Sequence, residues 1–330
     1  MENFSTTLYQ LDDRQLRPAE IDSNWPVRVA LIDDGIKLEH LTMQSLGPIT
    51  GCSFFYTRLG DPNWTREYYH TSRGHGTTMA LQIYRICPKA RLHVIKLQDH
   101  KSPDGETTSI TPKSAAEAIN HAVDCKVDII SMSWTIDVPK DEETADLMLL
   151  EAAINRAVTE KIPMFCSARD MGADNPNTYP SKVSERIFRI GGANIYGHAN
   201  DAVGSKDNVH YTCPGNLVAT EALAPDATLT KNFFTGSSVA TALAAGLAAL
   251  IIYCAQVRVA ASKDDERREE AVRCLNKLKT QEGMKKALDI ISKGGKYLQV
   301  WDIFDQTSKR DLTALQSVVN IAMRLSPPGF

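Results

Sequence analysis

Thr235-Gly236-Ser237-Ser238-Val239-Ala240-Thr241-Ala242-Leu243-Ala244-Ala245-Gly246 begins as a turn and ends as a helix. Thr235 to Ser237 are small and polar, the make-up of a helix cap. From Val239 to Tyr253 nearly every residue is Ala, Leu, Ile or Gly. A helix without a polar face is buried on all sides. Ser238 falls in its first turn, where free N–H groups and the positive end of the helix dipole collect. That is a good place for an attacking hydroxyl, and equally the place of a serine that only caps a core helix.

Working towards the N-terminus, short apolar runs alternate with helical patterns. Pro26–Ile32, Arg91–Leu97, Val127–Ser133, Ile162–Ala168 and Arg186–Gly192 read as strands. Gly76 to Ile86, Thr111 to Ala122 (Thr as cap, Pro112 at the first helical position) and Glu142 to Lys161 read as helices. Strands alternating with helices imply parallel crossovers and a three-layer α/β domain. The first run ends at Asp33-Asp34-Gly35, which puts Asp33 at the carboxyl edge of a sheet, where sites form in open α/β folds. Asp-Gly is also a plain turn signal. Arg73-Gly74-His75-Gly76-Thr77-Thr78-Met79-Ala80 holds the one histidine of eight that is flanked by glycines at a helix start. The glycines permit close backbone approach there. Residues 51–73 carry Phe54, Phe55, Tyr56, Trp64, Tyr68 and Tyr69 among polar neighbours, either a cover over a cleft or packing beneath a long loop. Asp99 to Ser109 reads as a polar loop.

Composition bounds the rest. Across 330 residues the apolar share is 43% and the charged share 23%, ordinary for a globular chain. A net charge of −3 points to neither nucleic acid nor an anionic membrane. The run Val239–Ala255 is apolar but contains Thr241 and many small residues, a poor membrane span. The first residues are polar and acidic with no apolar signal segment. The seven cysteines are scattered, with no C-x-x-C pair, as suits reduced thiols and a cytoplasmic location. Acidic residues are plentiful in loops without an ordered cluster, so no metal ligand set emerges and calcium is left open. The expected organisation is an N-terminal arm over residues 1–25, a catalytic domain over 26–258 and a helical extension over 259–330. The extension, packed on the domain, is also a candidate partner surface.

A carboxylate, an imidazole and a hydroxyl are the parts of a base-activated serine nucleophile: the Asp fixes the His tautomer and the His takes the Ser proton. Here they run in the order Asp33, His75, Ser238. No histidine follows Ser238, which excludes the Ser…Asp…His order of α/β-hydrolases.

On these motifs the chain resembles the subtilisin-like serine proteases (subtilases, peptidase family S8). Ile32-Asp33-Asp34-Gly35 is similar to the family's aspartate motif, His75-Gly76-Thr77-Thr78-Met79-Ala80 to its histidine motif, and Gly236-Ser237-Ser238-Val239-Ala240 to its serine motif. Cys213-Pro214-Gly215 resembles the Ala-Pro-Gly upstream of the serine, and Ser131-Met132-Ser133-Trp134 resembles the strand lining the first specificity pocket. The resemblance implies a mostly parallel sheet in a three-layer fold and a serine endopeptidase acting on peptide or protein substrates without a cofactor. It further implies Asp33, His75 and Ser238 as its triad and substrate paired beside Ser133, Trp134 and Thr135, with Trp134 narrowing or roofing the first pocket. Two departures bear on activity. The oxyanion-hole position is Asp170, where the family usually has Asn, and an ionised carboxylate cannot donate to an oxyanion. Residues 1–25 are too short to resemble the family's propeptide, which fits intracellular fungal members that lack one. The alternative is a weak or repurposed member of the fold, acting on a biosynthetic-pathway intermediate or binding a peptide or protein partner.

Overall fold

The five apolar runs lie side by side, all parallel, and each edge gains one further strand. The computed structural model describes residues 25–38, 49–57, 64–101, 108–137, 144–172, 178–223, 229–304 and 313–326, with Phe4, Leu8, Leu11 and Leu16. Its strands are β1 (Arg28–Asp33), β2 (Thr50–Ser53), β3 (Arg91–Lys96), β4 (Asp99–Lys101), β5 (Thr108–Ile110), β6 (Ile129–Met132), β7 (Ile136–Asp137), β8 (Met164–Ser167), β9 (Thr178–Tyr179), β10 (Phe188–Ala193), β11 (Tyr211–Pro214), β12 (Val218–Leu223) and β13 (Leu229–Phe234). Its helices are α1 (His75–Ile86), α2 (Pro112–Asp124), α3 (Ala145–Thr159), α4 (Ser237–Ala261), α5 (Asp265–Leu278), α6 (Gln281–Ser292), α7 (Trp301–Phe304) and α8 (Ala314–Leu325). The seven-stranded sheet has the order β11-β10-β8-β6-β1-β3-β2. This is the mostly parallel α/β architecture the motifs imply.

Alternation along β1 sorts the two faces. Val29 and Leu31 enter a core shared with α1 and α4, and Ala30 and Ile32 enter a second core shared with α2 and α3. β1 pairs with β3 on one side and β6 on the other, with Asp33 opposite Lys96. The chain therefore delivers Asp33 and the segment after β6 to the same carboxyl edge. β4 and β5 form a small antiparallel pair where a polar loop was expected; residues 102–107 lie outside the described residues.

α4 has a mean hydropathy of 2.0 over its most apolar window, enough to cross a bilayer by composition, but 94% of that window is buried inside the protein, the environment of a core helix. It packs against α1 at Gly246, where a Cβ would sit 2.9 Å from the Ile83 carbonyl oxygen and 3.1 Å from Ile86 Cβ. Because α1 carries His75 and α4 carries Ser238, this close approach sets their separation. Gly246→Ala is expected to cost about 1–3 kcal/mol by overpacking, read as a lower urea midpoint. An unchanged midpoint would mean that the helices do not meet there.

α5, α6 and α8 send Leu275, Leu278, Met284, Leu288, Val318 and Ile321 into the same core as α4. Lys279 Nζ pairs with the buried Asp128 carboxylate at 2.9 Å, and the other Asp128 oxygen accepts from the Arg28 amide at 2.8 Å. The Thr212 amide donates to the Lys296 carbonyl and the Thr212 carbonyl accepts from the Leu298 amide, which covers the β11 edge against unwanted pairing. Of the expected N-terminal arm, Phe4 and Leu8 are fully buried, with the Phe4 ring 5.2 Å from that of Phe304. Within the expected helical extension, residues 305–312 and 327–330 lie outside the described residues.

Candidate active site

Asp33 ends β1 and is buried, so its carboxylate has few partners to choose from. Oδ1 lies 2.8 Å from His75 Nδ1 and also accepts from the Asp34 amide at 2.8 Å. That contact commits Nδ1 to the carboxylate and leaves Nε2 for another group. Burial alone would depress His75; the Asp33 and Asp34 carboxylates outweigh it and hold the imidazole above its ordinary value.

Asp34 is more than half of an Asp-Gly turn. Oδ2 accepts from Thr71 Oγ1 at 2.7 Å and the Arg73 amide at 2.8 Å, and Oδ1 accepts from the Gly76 amide at 2.7 Å. A buried carboxylate thus caps the N-terminus of α1 and fixes the loop that enters His75. The Gly76 backbone approaches so closely that a Cβ there would strike the Gly35 carbonyl. Beneath lies Lys96, fully buried, with Nζ donating to the Asp34 and His70 carbonyls at 2.5 and 2.7 Å and standing 5.4 Å from the Phe55 ring centre. Of the aromatic-rich stretch, Phe55 has both Lys96 and Arg66 over its ring and Tyr68 rests on the core, while Trp64 and Tyr69 are exposed. The sequence reading missed the roles of Asp34 and Lys96. The signal for Asp34 was its place beside Asp33; a lysine inside an apolar strand was the signal for Lys96.

Ser238 stands in the first turn of α4, its hydroxyl donating to the Ser133 carbonyl at 2.9 Å, while Ser133 Oγ donates back to the Ser238 carbonyl at 3.0 Å. This reciprocal pair ties the loop after β6 to the start of α4. His75 and Ser238 line one cleft of about 550 Å³ together with Asp170, Thr220, Asn232 and Phe234. The hairpin of β12 and β13 forms its far wall.

Asp170 follows β8 and turns its carboxylate to the α4 N-terminus. Oδ2 accepts from the Ser237 amide and Oδ1 from the Ser237 hydroxyl, each at 2.5 Å. Ser237 Oγ in turn accepts from the Gly192 amide at 3.0 Å. Asp170 here is an acceptor that caps the helix beside Ser238. Trp134 is buried, its indole donating to the Ile32 carbonyl at 2.9 Å, which ties its ring to the end of β1. Ser133 is buried and Thr135 half-exposed, leading into β7.

One cluster was not foreseen in the sequence. Donor atoms of Cys52, His93 and His121 lie within 4.8 Å of one another, brought from β2, β3 and α2.

A buried Asp bonded to a His at one end of a parallel sheet, with a Ser on the first turn of a buried helix lining the same cleft, is the set of groups that serine hydrolases use. The sequence matches the model of the Subtilase family over residues 26–267, and the chain belongs to that family. The family is one of serine proteases. The chain is 28% identical over 182 residues to the subtilisin-like protease het-Q2 of Podospora anserina, covering 54% of this chain and 48% of that protein. It is 27% identical over 243 residues to the major intracellular serine protease of Bacillus subtilis strain 168, covering 68% of each. It thus spans about half the length of the first relative. Among solved structures, the prenylagaramide maturation protease PagA superposes with a TM-score of 0.59 at 14% identity over 98% of this chain and 99% of that one, a likeness of fold.

Proposed function

We propose that the chain is a serine endopeptidase whose triad is Asp33, His75 and Ser238. The observation that carries this is the 2.8 Å bond from Asp33 to His75 Nδ1, with Nε2 left for the Ser238 hydroxyl across the same cleft. Rotation of the Ser238 side chain away from the Ser133 carbonyl turns Oγ towards His75. His75 Nε2 then takes the Oγ proton as Oγ bonds to the scissile carbonyl carbon. The tetrahedral oxyanion forms at the start of α4, where the Ser238 amide and the helix dipole oppose its charge. Collapse breaks the C–N bond, His75 returns the proton to the leaving amine, and water repeats the sequence on the acyl-enzyme. The backbone of Ser133, Trp134 and Thr135 is the edge on which a peptide would pair as an added strand. These groups need no cofactor.

Asp170 occupies the oxyanion-hole position in this reading and restrains the rate. As a carboxylate it accepts from Ser237 and adds negative charge where the oxyanion develops. Asp170→Asn keeps an oxygen for the Ser237 amide and turns an N–H₂ to the Ser237 hydroxyl, and the second hydrogen of that N–H₂ is left for the oxyanion. We expect kcat to rise by about 10²-fold, the usual worth of one such donor, with KM little changed. An equal or lower kcat would remove Asp170 from the oxyanion hole.

The seven free cysteines support an intracellular setting. Neither the family match nor the fold favours the alternative of a weak or repurposed member of the fold that acts on a pathway intermediate or binds a peptide or protein partner. The test of the endopeptidase reading is digestion of an unfolded protein, with the products read by mass spectrometry. New termini inside the chain are expected. Release of terminal residues alone, or no cleavage, would contradict it.

A further inference from the structure

Two cysteines far apart in sequence meet two histidines on the α2 side of the sheet. Thr50 of β2 pairs with His93 of β3, and Cys52 pairs with Ile95, so Cys52 and His93 project from the same face. α2 crosses that face, and its last turn brings His121 and the C-cap residue Cys125, four positions apart, to one side of the helix. The side chains close up as two overlapping trios, Cys52 with His93 and His121, and Cys125 with the same two imidazoles. His93 Nε2 is 3.0 Å from His121 Nε2. Cys125 Sγ is 3.4 Å from His121 Nε2 and 3.8 Å from His93 Nε2. Cys52 reaches the two imidazoles within the 4.8 Å cluster.

We propose that Cys52, His93, His121 and Cys125 form a structural zinc site. With bonds of about 2.0–2.1 Å to nitrogen and about 2.3 Å to sulfur, a tetrahedral ion holds its ligand atoms about 3.3–3.8 Å apart. The separations from Cys125 to His121 and His93, 3.4 and 3.8 Å, match that range, and the two imidazoles at 3.0 Å stand slightly closer than an ion would hold them. A single imidazole N–H shared between the rings explains the 3.0 Å pair alone. A thiol aimed at both ring nitrogens, with a second thiol beside them, is the donor set of a tetrahedral N₂S₂ ion. Thr50 Oγ1 sits 2.9 Å from His93 Nδ1, the outer hydrogen bond that orients a metal-bound histidine and leaves Nε2 for the ion. Four protein ligands leave no open position, so the role is structural. Loading replaces two thiol protons with one divalent ion and releases both protons to solvent. The ion would staple the edge strand β2 to β3 and α2, at the root of the segment that runs on to Thr71, Arg73 and His75.

The experiment uses the full chain, reduced and stripped with a chelator, then titrated with cobalt(II) and back-titrated with zinc. The expected result is one cobalt per chain with strong visible bands of a tetrahedral ion and a thiolate charge-transfer band, all removed by one equivalent of zinc. Cys52→Ser and Cys125→Ser should each weaken the charge-transfer band and lower affinity more than about 100-fold, since a lost ligand costs more than a lost outer partner. Cys274→Ser, at a buried cysteine elsewhere, should leave the spectrum intact. Should either cluster variant misfold, by its circular dichroism, the wild-type titration decides. A weak octahedral cobalt spectrum in wild type, a charge-transfer band unaltered in folded Cys52→Ser and Cys125→Ser, or a Cys52–Cys125 disulfide in the protein as isolated would each overturn the proposal.

Discussion

With Ser238 as the proposed nucleophile, Ser238→Ala is expected to lower kcat for peptide hydrolysis by about 10⁶-fold and to leave the fold standing. The catalytic loss follows from chemistry: without Oγ there is no acyl-enzyme, and only the backbone donors and substrate binding remain, worth about 10³–10⁴ over water. The structural cost is small because the hydroxyl makes one bond, to the Ser133 carbonyl at 2.9 Å. Its loss is worth about 1 kcal/mol. The start of α4 stays anchored by the Ser133 hydroxyl on the Ser238 carbonyl and by Asp170 on Ser237. Kinetics on a quenched peptide, with a urea melt of the same sample, checks both halves. A variant that still cleaves at the wild-type rate would place the nucleophile elsewhere.

Asp33→Asn lowers kcat by about 10⁴-fold and moves the pH profile. The Asn amide would donate to His75 Nδ1, placing the imidazole proton on Nε2, where it cannot accept from Ser238. In the wild type, burial pulls the His75 pKa down and the Asp33 and Asp34 carboxylates pull it up further, so it stands above its ordinary value. The base works only when neutral. kcat/KM should therefore rise with pH through an inflection above about 6.5, the ordinary histidine value. In Asp33→Asn the burial remains and one attracting charge is gone, so the inflection moves to lower pH. The check is the profile of both proteins between pH 5 and 9. An inflection that stays in place would mean that Asp33 does not set the charge on His75.

The central strands were legible because buried parallel strands are nearly continuous apolar runs, as in β1, β6 and β8. The edges β2 and β11 were not. Thr50-Gly51-Cys52-Ser53 and Tyr211-Thr212-Cys213-Pro214 are short and polar, and only their pairing makes them strands. The three motifs pointed to Asp33, His75 and Ser238 because each sits where a strand or helix must end or begin. What surrounds them came from tertiary contacts that a linear pattern does not carry. Asp34 looked like half of a turn, and its three hydrogen bonds reach residues 71–76. The bond from the Trp134 indole to the Ile32 carbonyl was likewise out of reach of a linear pattern. His121 and Cys125 stand at a ligand spacing on one helix, but their partners come from two strands more than a score of residues upstream.

The most direct test of the triad is labelling with a fluorophosphonate probe from pH 5 to 9, with the modified residue located by mass spectrometry. The probe reacts with an activated serine and needs no knowledge of the substrate. Labelling on Ser238 that grows with pH and vanishes in Ser238→Ala is the predicted result. No labelling at any pH, in wild type and Asp170→Asn alike, would mean that Asp33, His75 and Ser238 do not act together as a nucleophilic site.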